Sequence, residues 1–214
     1  MANNLRFVET NPNLIFQFDN VLNSVDLKYI NEFNWNTLGW TSAHSTGYRK
    51  TFNFKDTGQF PLLTTIKDKA FRCFQTIDPD VKINKILTFA FGLTENNRKM
   101  FRHPAHPDIL EPGGHWTLLY HLAGESGPTD FYNNSINNCL IKSVEYKPGR
   151  LLIYPAVYHH QGSMPNNGMR LIVNIRVIIN TKLNEGILKN SPNLQKEYQK
   201  YYINASDDNL LQPL

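Results

Sequence analysis

Between residues 99 and 180 the chain is cut into short β-like runs by glycine, proline and asparagine, and this punctuation most narrows what it can fold into. The runs fall at 116–122, 130–132, 143–146, 150–154, 159–161 and 170–179. Short strands spaced in this way predict a β sandwich or jelly roll. Pro148-Gly149 is a turn signal just before the apolar run LLIYP. A further strand is expected over 81–93, where Val81, Ile83, Phe89, Phe91 and Leu93 recur on one face.

The first eighty residues read differently. Residues 6–21 alternate loosely and include LIFQFDNVL, a strand followed by a short connection. Ser24 is placed to cap a helix over 25–33, with Leu27, Ile30 and Phe33 on one side. Residues 36–60, rich in threonine, serine, glycine and asparagine, predict a long loop with one or two short strands, for example over 48–54. Pro61 suits the first turn of a helix. That helix runs over 62–77, spacing Leu62, Ile66, Ala70 and Cys73 or Phe74 along one stripe, until Asp78-Pro79-Asp80 stops it. Beyond Asn180 the composition turns polar, with a helix expected over 194–202 and a tail after it. The expected organisation is one domain over 1–214: helical and strand support over 1–80, a β core over about 81–180, and a polar extension over 181–214.

Charge and composition exclude several classes. The net charge is +4 and no run of five like charges occurs, so no basic arm for nucleic acid is indicated. The two cysteines, Cys73 and Cys139, match no metal or redox spacing and read as free thiols in a reducing compartment. The opening MANNLRFVETNPN lacks the apolar core of a signal peptide, and no stretch approaches the roughly 20 apolar residues of a membrane span. The expected location is cytoplasmic, with no membrane partner.

The chemistry concentrates in the β core. Six of the seven histidines lie between 103 and 160. His-x-Asp occurs once, as His106-Pro107-Asp108; on a strand end, residues i and i+2 point to the same side and offer two ligands together. A third ligand is available from His159 or His160. Imidazole nitrogens plus one carboxylate on one face, with open positions opposite, make the non-haem iron(II) pattern. Arg170 follows ten residues after His160, a bidentate partner for a carboxylate. It opens the strand RLIVNIRV and shares a face with Ile172, Asn174 and Arg176.

The order of these pieces over about 87–178 resembles the iron(II)/2-oxoglutarate-dependent dioxygenases, especially their prolyl-4-hydroxylase-like branch. The matching pieces are His106-x-Asp108, the aromatic strand TLLYHL, the turn and strand SGPTDFY, GRLLIYP, His160-Gln161-Gly162, and Arg170. The resemblance implies a mainly β chain with flanking helices around a double-stranded β-helix (jelly roll, cupin-like). It implies His106, Asp108 and His160 as iron ligands, with His159 turned away. It implies Fe(II) as cofactor, with 2-oxoglutarate and O2 as cosubstrates. Arg170 then pairs with the distal carboxylate of 2-oxoglutarate. The family's helper tyrosine falls at His121 here; His121, or Tyr120 after a register shift, or Thr129, takes its place. Arg176 competes with Arg170, or binds the other end of the keto acid or the substrate. The implied reaction is hydroxylation of a C–H bond with release of succinate and CO2, first on a prolyl or other peptide residue. A small metabolite or a nucleobase is an alternative substrate, although a flipped-base enzyme needs a larger basic face than is evident. A non-catalytic, cupin-like metal-binding protein is the competing class; it has no need of Arg170 at that spacing. Residues 36–60 and 96–102 are candidates for substrate contact.

Overall fold

Strict alternation along the long strands separates two apolar surfaces, and the architecture follows from burying both. A computed structural model describes residues 6–9, 14–43, 47–52, 61–95, 105–108, 114–132, 140–165 and 168–184. The described residues form β1 (Arg6–Glu9), β2 (Phe16–Asp19), α1 (Ser24–Glu32), β3 (Thr41–Ala43), β4 (Gly47–Phe52), α2 (Pro61–Ile77) and β5 (Lys82–Glu95). They continue with β6 (His115–Gly124), β7 (Thr129–Tyr132), β8 (Leu140–Val144), β9 (Leu151–Pro155), β10 (His159–Gly162) and β11 (Met169–Asn180). The strands make two antiparallel sheets, a large one ordered β1-β2-β9-β6-β11-β5-β4-β3 and a small one ordered β10-β7-β8. This is a mainly β, jelly-roll arrangement with two supporting α-helices, as the sequence predicts.

One face of the large sheet carries Trp116, Leu118 and Tyr120 of β6 with Leu171, Val173, Ile175 and Val177 of β11. These meet the stripe Leu62, Leu63, Ile66, Ala70, Cys73 and Phe74 of α2. Each large apolar side chain so buried stabilises the fold by about 1.5–3 kcal/mol. The other face, turned toward the small sheet, carries Leu119, Leu152 and Tyr154 against Phe131 and Val144. On that inner face the alternation also places polar residues: Thr117 and His121 from β6, and Arg170, Asn174 and Arg176 from β11.

Several local expectations shift. The cap of α1 is Asn23, not Ser24: Asn23 Oδ1 accepts from the Asp26 N–H and Asp26 accepts from the Asn23 N–H, each at 2.8 Å. The reciprocal pair satisfies two orphan donors at once, which a lone serine one residue later does not. The segment over 36–60 does hold two short strands, within the one or two expected; β3 and β4 extend the large sheet beyond β5. The strand expected over 143–146 is instead Leu140–Val144, and Tyr146 lies past its end. The helix expected over 194–202 and the segment 96–102 lie outside the described residues, as does Cys139.

The turn before β9 is held by a buried ion pair. Arg150 donates to Asp19 Oδ1 from Nε (2.6 Å) and to Oδ2 from Nη2 (3.0 Å), and its Nη1 donates to the Glu145 carbonyl (2.6 Å). Burial pushes the Asp19 carboxyl upward, but Arg150 and Lys147 outweigh it and leave it below the usual range. Breaking such a pair costs about 3–5 kcal/mol by stranding the other charge. Arg150→Ala should therefore lower Tm by on the order of 10 °C at neutral pH. Because the Asp19 pKa is depressed on folding, its stabilisation is present above about pH 4 and fades as pH falls through the folded value. The Tm gap between wild type and variant should narrow in acid; a gap that stays constant below about pH 4 would count against the assignment.

Candidate metal and anion site

The candidate ligands are brought together by main-chain pairing. The His106 N–H donates to the His160 carbonyl and the His160 N–H to the His106 carbonyl, both at 3.0 Å. The Asp108 N–H donates to the Ala156 carbonyl at 2.9 Å. His106 is thus bridged to β10, which is itself fixed against β7, and Asp108 is tied to the turn that precedes β10. His106, Asp108 and His160 offer ligand atoms all within 4.8 Å of one another, and His160 Nε2 lies 3.8 Å from Asp108 Oδ2. His159 alternates to the outer side and is half-buried, whereas His160 is buried.

Two of the three candidate ligands, His160 and Asp108, are oriented from behind. His160 Nδ1 lies 3.2 Å from the Tyr158 carbonyl, which takes its N–H and leaves the Nε2 lone pair for an ion. Burial pushes the His160 pKa down, aided by His106 and Arg170 and opposed by Asp108, so the ring is neutral near pH 7. Asp108 accepts from Thr117 Oγ1 (2.7 Å), Tyr154 Oη (3.3 Å), Asn174 Nδ2 (3.1 and 3.3 Å) and Arg176 Nη2 (2.8 Å). Burial opposes its charge, but His160, Arg176 and these donors hold its pKa below the usual range. Two imidazoles and one ionised carboxylate, open on the His106 side, fit an iron(II)-type ion with free coordination positions.

A second cluster lies farther along the same inner face. Arg170, only 4% exposed, donates from Nη2 to Thr129 Oγ1 at 3.2 Å. It crosses directly over Gly162: a Cβ there would sit 2.1 Å from Arg170 Nη1 and 2.9 Å from Cζ. A side chain at 162 would therefore displace the guanidinium from its present place. At the end of β6, Gly124 adopts φ +85°, and a Cβ would lie 1.8 Å from the Met169 carbonyl oxygen. Tyr146 forms the wall behind: its ring stacks on His121 at 4.3 Å and 18°, and the Arg170 guanidinium lies 5.5 Å from its centre. The Tyr146 hydroxyl, 2.8 and 2.7 Å from the Ala123 and Leu171 carbonyls, holds the ring in place.

His121 is fixed in one tautomer. Its Nδ1 accepts from the Lys147 N–H at 3.2 Å, so the ring proton sits on Nε2. Burial, then the charges of Arg170 and Arg150, push its pKa well down, so the ring is a neutral donor. Among the described residues five buried side-chain atoms have no partner: His121 Nε2, Arg170 Nε, Arg176 Nε and Asn174 Oδ1 on the inner face, and Tyr120 Oη on the helix side.

Tyr120 is the departure. The pairing of β6 with β11 does not slip until beyond His121, so Tyr120 stays on the helix side, in the core with α2. Its fully buried hydroxyl faces away from Arg170, and the register shift that would bring it inward does not occur. His121, Thr129, Arg170 and Arg176 are all inner-face residues. Four neighbours escaped the sequence reading: Thr117, Tyr146, Tyr154 and the Lys147 N–H. Thr117 alone left a signal, as a polar residue two and four places before Leu119 and His121 on one strand face.

No protein-family model matches the chain, and no curated protein sequence matches it. Solved structures do. A viral collagen prolyl hydroxylase from Paramecium bursaria Chlorella virus-1, solved as its 2-oxoglutarate complex, superposes with TM-score 0.54 at 15% identity, covering 77% of this chain and 94% of that one. A prolyl hydroxylase from Trichoplax adhaerens, in complex with a hypoxia-inducible-factor peptide fragment, gives TM-score 0.60 at 13% identity over 88% and 87% of the chains. SnoN, an α-ketoglutarate-dependent epimerase from nogalamycin biosynthesis, gives 0.60 at 11% identity over 81% and 82%. The chain has the fold of the 2-oxoglutarate–Fe(II) oxygenases.

The purified protein should bind one Mn(II) or Fe(II) per chain. Asp108→Ala should weaken binding by more than about 100-fold and Thr117→Val by about 10-fold, since outer-shell partners typically contribute 10–100-fold. Anaerobic calorimetry reads both; an unchanged affinity in Asp108→Ala would remove the triad as the metal site.

Proposed function

We propose that the chain is an Fe(II)- and 2-oxoglutarate-dependent oxygenase that hydroxylates a C–H bond of a prolyl or other peptide residue, releasing succinate and CO2. One observation carries this reading. Three buried N–H groups, on Arg170, Arg176 and His121, lack partners among the described residues and lie on the inner face that carries the His106–Asp108–His160 triad. Buried donors without partners are costly and mark the place of an acceptor. A dicarboxylate answers donors at two places; a bare metal-binding barrel does not need them.

In this reading His106, Asp108 and His160 hold the iron, which when bound supplies the activation of dioxygen coupled to decarboxylation of the keto acid. Arg170 and Thr129 grip the distal carboxylate, and the His121 Nε2–H donates to it. Tyr146 keeps His121 and Arg170 in register with each other. Asn174 and Arg176 keep the Asp108 carboxylate turned toward its neighbours, and Arg176 has a further N–H for the near end of the keto acid. Leu119, Phe131 and Leu152 line the space between the sheets and exclude water. The peptide substrate is supported by the likeness to two prolyl hydroxylases, one holding a peptide. The likeness to SnoN favours a second reading, a small metabolite in the same place. No helix among the described residues is long and apolar enough to cross a membrane.

Anaerobic addition of 2-oxoglutarate to the Fe(II) protein should give the weak visible charge-transfer band of a keto-acid chelate. Arg170→Ala should need at least about 100-fold more keto acid, the loss of roughly 3 kcal/mol of charged hydrogen bonding. His121→Phe and Gly162→Ala should each need about 10-fold more, one hydrogen bond's worth. Succinate release then ranks proline-containing peptides against small metabolites. A protein that binds iron but shows no band at any keto-acid concentration is not this enzyme.

A further inference from the structure

The ladder between β6 and β11 slips at one point, and the slip falls inside the candidate anion end. Arg170 and Ile172 are two residues apart on β11 and share its inner face, yet the residues opposite them, Gly124 and His121, are three apart. Leu122 is the extra residue, a β-bulge. An unbroken ladder running on from Leu171 and Ala123 would put Leu122 opposite Ile172 and turn His121 to the helix side. The bulge is therefore what lets His121 and Arg170 face one place. A bulge also bends its strand and interrupts the pairing, so the carbonyls beside it need other donors.

One side chain meets them. The Tyr146 hydroxyl lies 2.8 Å from the Ala123 carbonyl oxygen on β6 and 2.7 Å from the Leu171 carbonyl oxygen on β11. Burial pushes this hydroxyl up to about 12, so it keeps its hydrogen, shared between the two acceptors. The ring lies flat on His121, with the Arg170 guanidinium 5.5 Å from its centre. The turn that carries Tyr146 also holds His121 from the other edge of β6. The His121 N–H donates to the Arg150 carbonyl at 2.9 Å, and the Gly149 N–H donates to the His121 carbonyl at 2.8 Å. The polar tip of Tyr146 thus clamps a bend whose two arms carry the two donors.

We infer that Tyr146 is a positioning residue for the keto acid: by closing the Leu122 bulge, its hydroxyl fixes the aim of Arg170 against His121, so that both meet one carboxylate. The inference rests on the oxygenase reading. It makes a phenol hydroxyl that is spent on two main-chain carbonyls the determinant of how strongly the site prefers a keto acid with a second carboxylate. Removing that hydroxyl leaves the ring, the Arg170 charge and the His121 proton in place; what is lost is their convergence. The metal end is spared, because His106 and His160 are held by β10 and Asp108 by the turn before it.

The test is anaerobic titration of the Fe(II) protein, read by the chelate band, with 2-oxoglutarate and with 2-oxopentanoate, which has the same carbon count and no distal carboxylate. Tyr146→Phe, its fold checked by thermal melting, should need about 10-fold more 2-oxoglutarate, one hydrogen bond's worth. Its 2-oxopentanoate titration and its Mn(II) affinity should match wild type. Tyr146→4-aminophenylalanine, which returns N–H donors to the same place, should restore the 2-oxoglutarate titration. Combining Tyr146→Phe with His121→Phe should cost less than the product of the single losses, because both act on one carboxylate. A Tyr146→Phe protein that binds 2-oxoglutarate as wild type does, or that loses both keto acids alike, overturns the inference and leaves the oxygenase reading standing. So do losses that multiply in the double variant, and so does a chain that folds only with a donor at 146, whose hydroxyl is then a structural group. Absence of the chelate band in the wild-type protein defeats the oxygenase reading, and this inference with it.

Discussion

Two backbone hydrogen bonds, exchanged between His106 and His160, carry the arrangement on which the candidate site depends. The residues they join are more than fifty positions apart in the chain. Side chains alone could not hold two imidazoles and a carboxylate in register from so far apart, because each brings several free torsions. A two-residue β-bridge removes the backbone part of that freedom. A further bond, from the Asp108 N–H to the carbonyl of Ala156 in the turn before β10, brings the carboxylate to the same place. Because β10 is paired in turn with β7, the ligand set is anchored to the small sheet, while its supporting donors come from β6 and β11 of the large one. The site is therefore a bridge between sheets, and the spacing of the sheets sets its dimensions.

The candidate anion-binding end is built by layers instead. Gly162 leaves the space that the Arg170 guanidinium fills; Tyr146 lies beside the guanidinium, and His121 stacks on Tyr146. The turn that presents the Lys147 N–H to His121 is in turn fastened by Arg150 to Asp19 on β2. A chain of contacts thus links an ion pair near the sheet edge to the tautomer of a buried histidine. Apart from the turn itself and the nearby pair Gly162 and Arg170, these residues are distant from one another in sequence.

What was legible in the sequence was whatever depends on short spacing. The His-x-Asp pair, the His-x-Gly pair with Arg170 ten residues on, and the alternation of β5, β6 and β11 all encode geometry within one strand or one turn. The jelly-roll class followed from the same punctuation. The choice between Tyr120 and His121 was not legible, because it turns on where the β6–β11 pairing slips, and a slip of one residue exchanges the two faces. Strand pairing places it past His121, beside Leu122. Tyr146 was beyond reach because its strand ends at Val144, so no periodicity describes it. Tyr154 read as a core aromatic, and it is one; only the third dimension shows which polar atoms its hydroxyl meets.

The contact between Arg176 and Asp108 has a consequence for the protein before any metal arrives. A buried carboxylate stripped of its cation is normally an uncompensated charge that pulls a fold apart. Here a guanidinium at 2.8 Å and the donors of Thr117 and Asn174 already neutralise and solvate it from within the chain. The apo state is in this sense self-sufficient. Metal loading is an occupancy event on a finished scaffold, unlike the small zinc domains whose folding energy is the binding energy of the ion. A chelator should leave such a protein folded, and a metal bound at this site would be loaded onto a chain already made and stored.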